Sequence, residues 1–393
     1  MRSFVSTKAS RFTESVIREM TRLAAKHGAI NLAQGFPDFA APAELKQAAC
    51  DAINRDINQY AITWGSKNLR DALSKKYADF NGMAADPETM ITVTCGATEG
   101  MIASLLATID PGDEIIIFEP FYENYGPDTI LSGAKPTFVR LHGAGFEIDE
   151  KELKRAITKK TRGVIINTPN NPTGKVFSRA ELELIASLCR RHDLCAYTDE
   201  VYEHIVYDGA KHISIATLDG MAERTVTVSA LSKTFSVTGW RLGTVIAPPR
   251  MTAAIRKVHD FLTVGAPHPL QEAAAQLLKK SREILPALAA EYQERREEFF
   301  KGLDAAGLKS AGKPQGAYYV MTDISDFGFK TDVAFSRWLV EEIGVAGVPG
   351  SSFYSNPRDG YGQIRFCFPK KLETLREAAR RLASPAMRKR RRS

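Results

Sequence analysis

The chain is short of several things that would otherwise direct its reading. None of its apolar runs reaches the roughly 18 residues of a membrane-spanning helix. Its first residues, MRSFVSTKASRFTESVIREM, have no apolar central stretch like that of a secretory signal, so a cytoplasmic location is expected. Cysteine is scarce: Cys50, Cys95, Cys189, Cys195 and Cys367 show no paired CxxC spacing, which argues against a disulfide framework or a zinc site. His204, His212 and His268 lack metal-ligand spacing and read as structural, so no metal is expected. Strong charge is lacking too. The net charge is +7, but Arg388, Lys389, Arg390, Arg391 and Arg392 supply five of those charges, and removing them leaves +2. That run reads as a solvated, disordered tail, with no nucleic-acid or membrane partner expected.

What is present is an ordinary globular composition, 44% hydrophobic and 25% charged, on a chain too long for one small core. Short apolar runs alternate with amphipathic stretches. EIIIF (114–118), GVIIN (163–167), LCAYTD (194–199), TVTVS (225–229) and GTVIA (243–247) predict strands. Their near-continuous hydrophobicity suits a mostly parallel sheet sandwiched by helices, an α/β architecture. Helices are expected over 10–26, over 96–109 and after Ser178, where Ser178 and Glu181 form a capping-box pattern. Beyond about residue 285 the pattern changes to α+β, with helices over 291–303, 332–343 and 372–382 and strands over 317–321 and 363–368. The expected division is a large domain over 40–285, a smaller one from 1–39 with 286–386, and the basic tail over 387–393.

Ligands of open parallel sheets bind beyond the carboxyl ends of the strands. The residues there are TPNNPTG after residue 167, DEVY from residue 199, and SKTFS followed by GWRLG around Lys233. A pyridine-aldehyde cofactor needs four things at such a place. It needs a lysine of lowered pKa to form an imine, and a carboxylate to keep the ring nitrogen protonated. It also needs hydrogen-bond donors for its phenolic oxygen, and cations with backbone N–H groups for its phosphate. Lys233, Asp199, Tyr202 with Asn171, and Arg241 are the residue types for those tasks. Each alone is ordinary; their joint placement at strand ends is not.

These motifs resemble the class I/II aminotransferases, the fold-type I group of pyridoxal-phosphate enzymes. The resemblance runs from NLAQGFPDF near residue 31 to IRFCF near residue 364. GFPDF, FEPFYENY, PNNPTGKVFS, DEVYEHIVYDG and SKTFSVTGWRLG are most similar to one subgroup. It holds the kynurenine aminotransferases, glutamine transaminase K and bacterial methionine aminotransferases. The resemblance implies a fold-type I PLP-transferase and pyridoxal 5'-phosphate as cofactor. Lys233 then matches the Schiff-base lysine, Asp199 the pyridinium partner, and Tyr202 with Asn171 the pair on the phenolic oxygen. Arg241 matches the phosphate arginine, Ala97 and Thr98 the turn whose N–H groups meet the phosphate, and Tyr122 the aromatic stacked on the ring. Tyr60 matches a tyrosine reaching the phosphate from the neighbouring subunit, which implies a homodimer with shared sites. Arg365 matches the arginine that grips the substrate α-carboxylate, with Gly35 assisting through its backbone.

One position departs from the pattern. Ala230 stands where the family has Ser or Gly, and Ser229 or Ser232 is expected to compensate. No counterpart of the second, dicarboxylate-binding arginine is evident, which argues against strict aspartate specificity. Phe12, Trp64 and Phe353 are expected to line an apolar side-chain pocket. The implied activity is ping-pong transamination from an aromatic (kynurenine-like), methionine- or glutamine-type amino acid to a 2-oxo acid. The alternative is a carbon–sulfur β-lyase of cysteine conjugates on the same fold.

Overall fold

The structure, a computed structural model, describes residues 4–391. An eight-stranded sheet dominates it, and its strands run in the order Ile91–Cys95, Leu242–Ile246, Thr225–Ala230, Cys195–Asp199, Thr161–Asn167, Glu114–Glu119, Lys135–His142, Glu147–Ile148. The five strands from Thr225–Ala230 to Lys135–His142 are mutually parallel. Leu242–Ile246 is antiparallel to both neighbours, which sets Ile91–Cys95 in the common direction again. The reason is chain length. Residues 231–241 hold only a four-residue helix and a short 3-10 turn, whereas a parallel return needs a crossover of about a dozen residues or more.

Helices cover the sheet, and apolar clusters fill the space beneath them. One cluster joins Ile116, Val164 and Ile166 to Leu182, Ile185 and Leu188 of the Arg179–His192 helix. That helix starts with the expected capping box, Glu181 N–H donating to Ser178 Oγ and Ser178 N–H to Glu181 Oε2. Another joins Ile115, Ile117 and Val228 to Met101 and Leu105 of the Ala97–Thr108 helix.

A second, four-stranded antiparallel sheet is built from Lys309–Ser310, Tyr319–Asp323, Gln363–Cys367 and Val348–Pro349. Its core takes Phe299 and Leu303 from the Ser281–Ala306 helix and Leu375 and Leu382 from Leu372–Leu382. The N-terminal part of the chain joins this half. Ile30–Asn31 pairs in parallel with Val345–Ala346, and the Val16–His27 helix, capped by Ser15 at one end and by Gly28 at φ +60° at the other, packs beside it.

Two expectations need correction. The helix expected over 291–303 begins at Ser281 and runs through Pro286, whose missing N–H leaves the Arg282 carbonyl without its usual i+4 donor. The basic tail is not a free segment over its described part. Pro385–Arg390 is helical, Met387 is fully buried, and Arg390 lies 4.7 Å from the ring centroid of Phe329. One apolar anchor and the stems of long cations suffice to dock a strongly basic turn. Arg392 and Ser393, the end of that predicted tail, lie outside the described residues. Met387→Ala should therefore cost about 2 kcal/mol or more, read as a lower midpoint of urea unfolding; an unchanged midpoint would return the tail to solvent.

Candidate active site

The carboxyl ends of Ile91–Cys95, Thr161–Asn167, Cys195–Asp199 and Thr225–Ala230 face one cavity of about 430 Å³. Ten of the eleven residues singled out in the sequence line it: Gly35, Ala97, Thr98, Tyr122, Asn171, Asp199, Tyr202, Lys233, Arg241 and Arg365. Tyr60 does not. It is 82% exposed and is not part of this lining. Phe12, Trp64 and Phe353 are also absent from the lining, so the apolar pocket expected from them is not formed within the chain. Trp64 instead stacks under Arg256, 4.9 Å from its ring centroid, and Phe353 is buried beneath Arg365.

Asp199 ends its strand and is almost fully buried. Tyr125 donates its phenol to Asp199 Oδ2 at 2.7 Å, and the Val201 N–H donates to Oδ1. Burial nonetheless raises the carboxyl above its ordinary range, against the pull of Tyr125, the Val201 N–H and Lys233. Lys233 sits one short helical turn beyond Ala230, its Nζ 3.3 Å from the Gly35 carbonyl. Burial pushes the Lys233 ammonium down to about 8, with Asp199 pulling the other way. A lysine near that value is largely a free amine in mildly basic solution, the form that attacks a carbonyl.

The phosphate-sized end of the cavity is made by close backbone approach. Gly96, at φ +84°, precedes the Ala97–Thr108 helix, whose first N–H groups are free for an anion. A Cβ on Gly96 would run into the Arg241 guanidinium, and one on Gly243 into the Gly96–Ala97 peptide. Arg241 itself takes the left-handed conformation, φ +54°, and donates to the Thr238 and Cys95 carbonyls. The two serines left open by the sequence now differ. Ser229 Oγ donates to Glu203 at 2.8 Å, whereas Ser232 Oγ is buried, lines the cavity and has no partner among the described residues.

Arg365 is fully buried. Its Nη1 donates to Asn171 Oδ1 at 2.8 Å and its Nη2 to the Ala33 carbonyl, while its Nε has no partner among the described residues. Among the described residues no carboxylate lies within 4 Å of it. A buried guanidinium without an anion is unstable unless a ligand supplies one.

Several lining residues were not anticipated. Tyr125 follows Tyr122 by three residues, a helical spacing visible in FYENY. Asn167 Nδ2 donates to the Asp199 carbonyl at 2.9 Å, and its Oδ1 accepts the Asn171 N–H at 2.7 Å. Tyr319 shares a 2.9 Å hydrogen bond with Tyr202, and Tyr318 donates to Gly35. Ile17 and Arg18 come from the first helix, which the sequence offers no reason to place here. Behind the strand ends, Glu200, Glu203 and His212 come together, but Lys76 already pairs with Glu203 at 2.6 Å and occupies the place a cation would take.

The chain belongs to the class I and II aminotransferases, whose family model matches residues 27–382. It is 39% identical to the probable N-succinyldiaminopimelate aminotransferase of Mycobacterium tuberculosis, over 95% of this chain and 96% of that one. It is 38% identical to human kynurenine–oxoglutarate transaminase 1, over 91% and 92%. A solved Escherichia coli structure with a methionine aminotransferase function superposes with a TM-score of 0.93 at 36% identity, covering 97% of this chain and all of that one. The protein is thus a pyridoxal-phosphate-dependent transaminase of fold type I. The site fits that cofactor on its own evidence: an amine, a buried acid, and an orphaned serine hydroxyl at a helix N-terminus with an arginine.

Two outcomes follow. Gly243→Ala should push the Gly96–Ala97 turn aside and weaken pyridoxal-phosphate affinity about tenfold or more, roughly 1.4 kcal/mol, measured by titrating the cofactor into the apoprotein. The initial rate at which an aldehyde modifies Lys233 in the apoprotein should rise through a midpoint of about 8; a midpoint near the 10.5 of an ordinary lysine would refute the shift.

Proposed function

We propose that this aminotransferase takes the amino group from an aromatic, kynurenine-like, methionine- or glutamine-type L-amino acid and passes it to a dicarboxylic 2-oxo acid such as 2-oxoglutarate. The observation that carries the α-carboxylate site is Arg365, buried, with Nε unpaired and no acid partner among the described residues. A substrate carboxylate satisfies it as a charge-assisted, bidentate partner, with Asn171 and the Gly35 backbone beside it. Outward from Arg365 the lining turns to Ile17 and Phe36, apolar surface suited to an uncharged side chain. Arg18 stands there too, exposed and without an ion pair among the described residues, and can meet the distal carboxylate of an acceptor acid.

Bound in the cavity, pyridoxal phosphate supplies the electron sink that makes the α-proton removable. Lys233 Nζ would hold the cofactor, and its amine would carry the substrate's α-proton. Asp199, oriented by Tyr125, would keep the ring nitrogen protonated. Tyr202 and Asn171 would hold the phenolic oxygen, and Tyr122 would supply an aromatic wall for the ring. Arg241, the Ala97 and Thr98 N–H groups and the free Ser232 hydroxyl hold the phosphate, Ser232 taking the place of the missing hydroxyl at Ala230. Tyr60 belongs to a partner's phosphate site in a homodimer. In support, Tyr60 shares an exposed apolar surface with Ile62, Phe261, Leu262 and Val264, residues drawn together where His259 bonds the Thr63 carbonyl. The domain boundaries are proposed near residues 40 and 285. The β-lyase alternative has no observation in its favour, since the relatives named above are transaminases.

Lys233→Ala should lower turnover about 10,000-fold and remove the cofactor's visible absorption band; full activity in that variant would end this reading. Screening single amino acids for bleaching of that band identifies the donor. Arg18→Gln should raise KM for 2-oxoglutarate about tenfold, roughly 1.4 kcal/mol, while pyruvate is unaffected. Equal changes for both acceptors would remove Arg18 from the distal-carboxylate role.

A further inference from the structure

Tyr122, Tyr125 and Asp128 follow one another at three-residue intervals through the start of the Tyr125–Leu131 helix, and all three line the cofactor cavity. The two tyrosines have evident work, one on the cavity wall and one on Asp199. Asp128 has none assigned. It is 6% exposed, and its Oδ2 is shielded from solvent with no hydrogen-bond partner among the described residues. A buried carboxylate is ordinarily held by a cation or by several N–H donors, and the elements packed here offer neither. The Ala97–Thr108 helix and the strands Glu114–Glu119 and Lys135–His142 contribute Met101, Leu105, Ile117 and Phe138 to the apolar cluster around Tyr122 and Tyr125. Their charged side chains are engaged elsewhere: Glu99 with His259, Glu114 with Lys135, Glu119 with the Ser355 N–H and Arg140 with Asp359. Lys233 and Arg241 line the same cavity, but neither pairs with Asp128. The charge that acts on it is Asp199, from the neighbouring strand end, and it has the same sign.

We infer that Asp128 is a positioning residue of the cofactor site, a buried carboxyl without a partner among the described residues that shares the cavity wall with Asp199 and so governs how much negative charge faces the ring nitrogen. Burial first, and Asp199 second, push its carboxyl up to about 7. Below that pH Asp128 adds no charge to the acids that line this end of the cavity, Asp199 and Glu123. Above it Asp128 adds one, and an added negative charge holds protons more tightly on any base bound nearby.

The inference rests on the reading that Asp199 faces the cofactor, but its first test needs no cofactor. The folded carboxyl titrates at about 7 and the unfolded one at 3.8, so the folded state binds more protons between those values. Its contribution to stability therefore falls as pH rises through that window. Asp128→Asn removes this loss. The melting temperature of the Asn apoprotein should gain a few degrees on the wild type between about pH 5 and pH 8. A gap that stays constant over that range overturns the inference. In the second test, on the loaded protein, the pH midpoint of the visible absorption band should fall by about half a unit or more in Asp128→Asn. Asp128→Glu, which keeps a titrating acid, should restore it. An unchanged midpoint overturns the link to Asp199 whatever the melting data show. A wild-type protein that forms no visible band would instead refute the cofactor reading, and the melting comparison would then decide Asp128 alone.

Discussion

The site depends on how one side chain ties two strand ends together. Asn167, the last residue of its strand, donates to the carbonyl of Asp199 on the adjacent strand and accepts the N–H of Asn171. This links two central strand ends at the lip of the cavity, where the Asp199 carbonyl also accepts the Thr168 N–H at 3.1 Å. It also fixes the level at which Asp199 and Asn171 stand. Asn171 in turn receives Arg365, so the four-stranded sheet is registered against the eight-stranded one through the same linkage. The residues assigned to cofactor and to substrate therefore share a rigid frame, as a site requiring sub-ångström placement demands.

Behind that frame lies a second polar layer. Glu203 receives Lys76, Asn81 and Ser229, and Glu200 receives His212 and Ser214, all within the interior. These bonds hold the 199–203 segment from the side away from the cavity. The Glu203 carboxyl lies well below its usual range: burial opposes the shift, and the Lys76 ammonium, with His204 and His212, outweighs it. The same bonds explain why Ser229, although adjacent in sequence to the departure at Ala230, is not the hydroxyl left for an anion.

Much of this was legible in the sequence because strand ends carry short, specific words. The five apolar runs marked the strands to within a residue or two, and the residues after them were the ones brought together. What escaped had physical reasons. Direction within the sheet is not encoded by hydrophobicity, so the reversed Leu242–Ile246 strand was invisible until the shortness of its connection was considered. Tyr319 and Arg18 reach the cavity from parts of the chain whose local pattern is only that of an ordinary strand and an ordinary amphipathic helix. Phe12, Trp64 and Phe353 were misplaced because aromatic character alone does not say which wall a side chain joins. The basic C-terminal run was misread because a single buried methionine outweighed its charge.

The reversed strand has a consequence for how the site can vary. Because residues 231–241 make a tight return and not a long crossover, Lys233 and Arg241 are separated by a fixed stretch of backbone pinned at both ends to the sheet. An inserted or deleted residue there would have no surface loop to absorb it and would displace the amine and the guanidinium relative to each other. Sequence drift at this place is confined to substitution, while the longer connections on the parallel side of the sheet remain free to change in length.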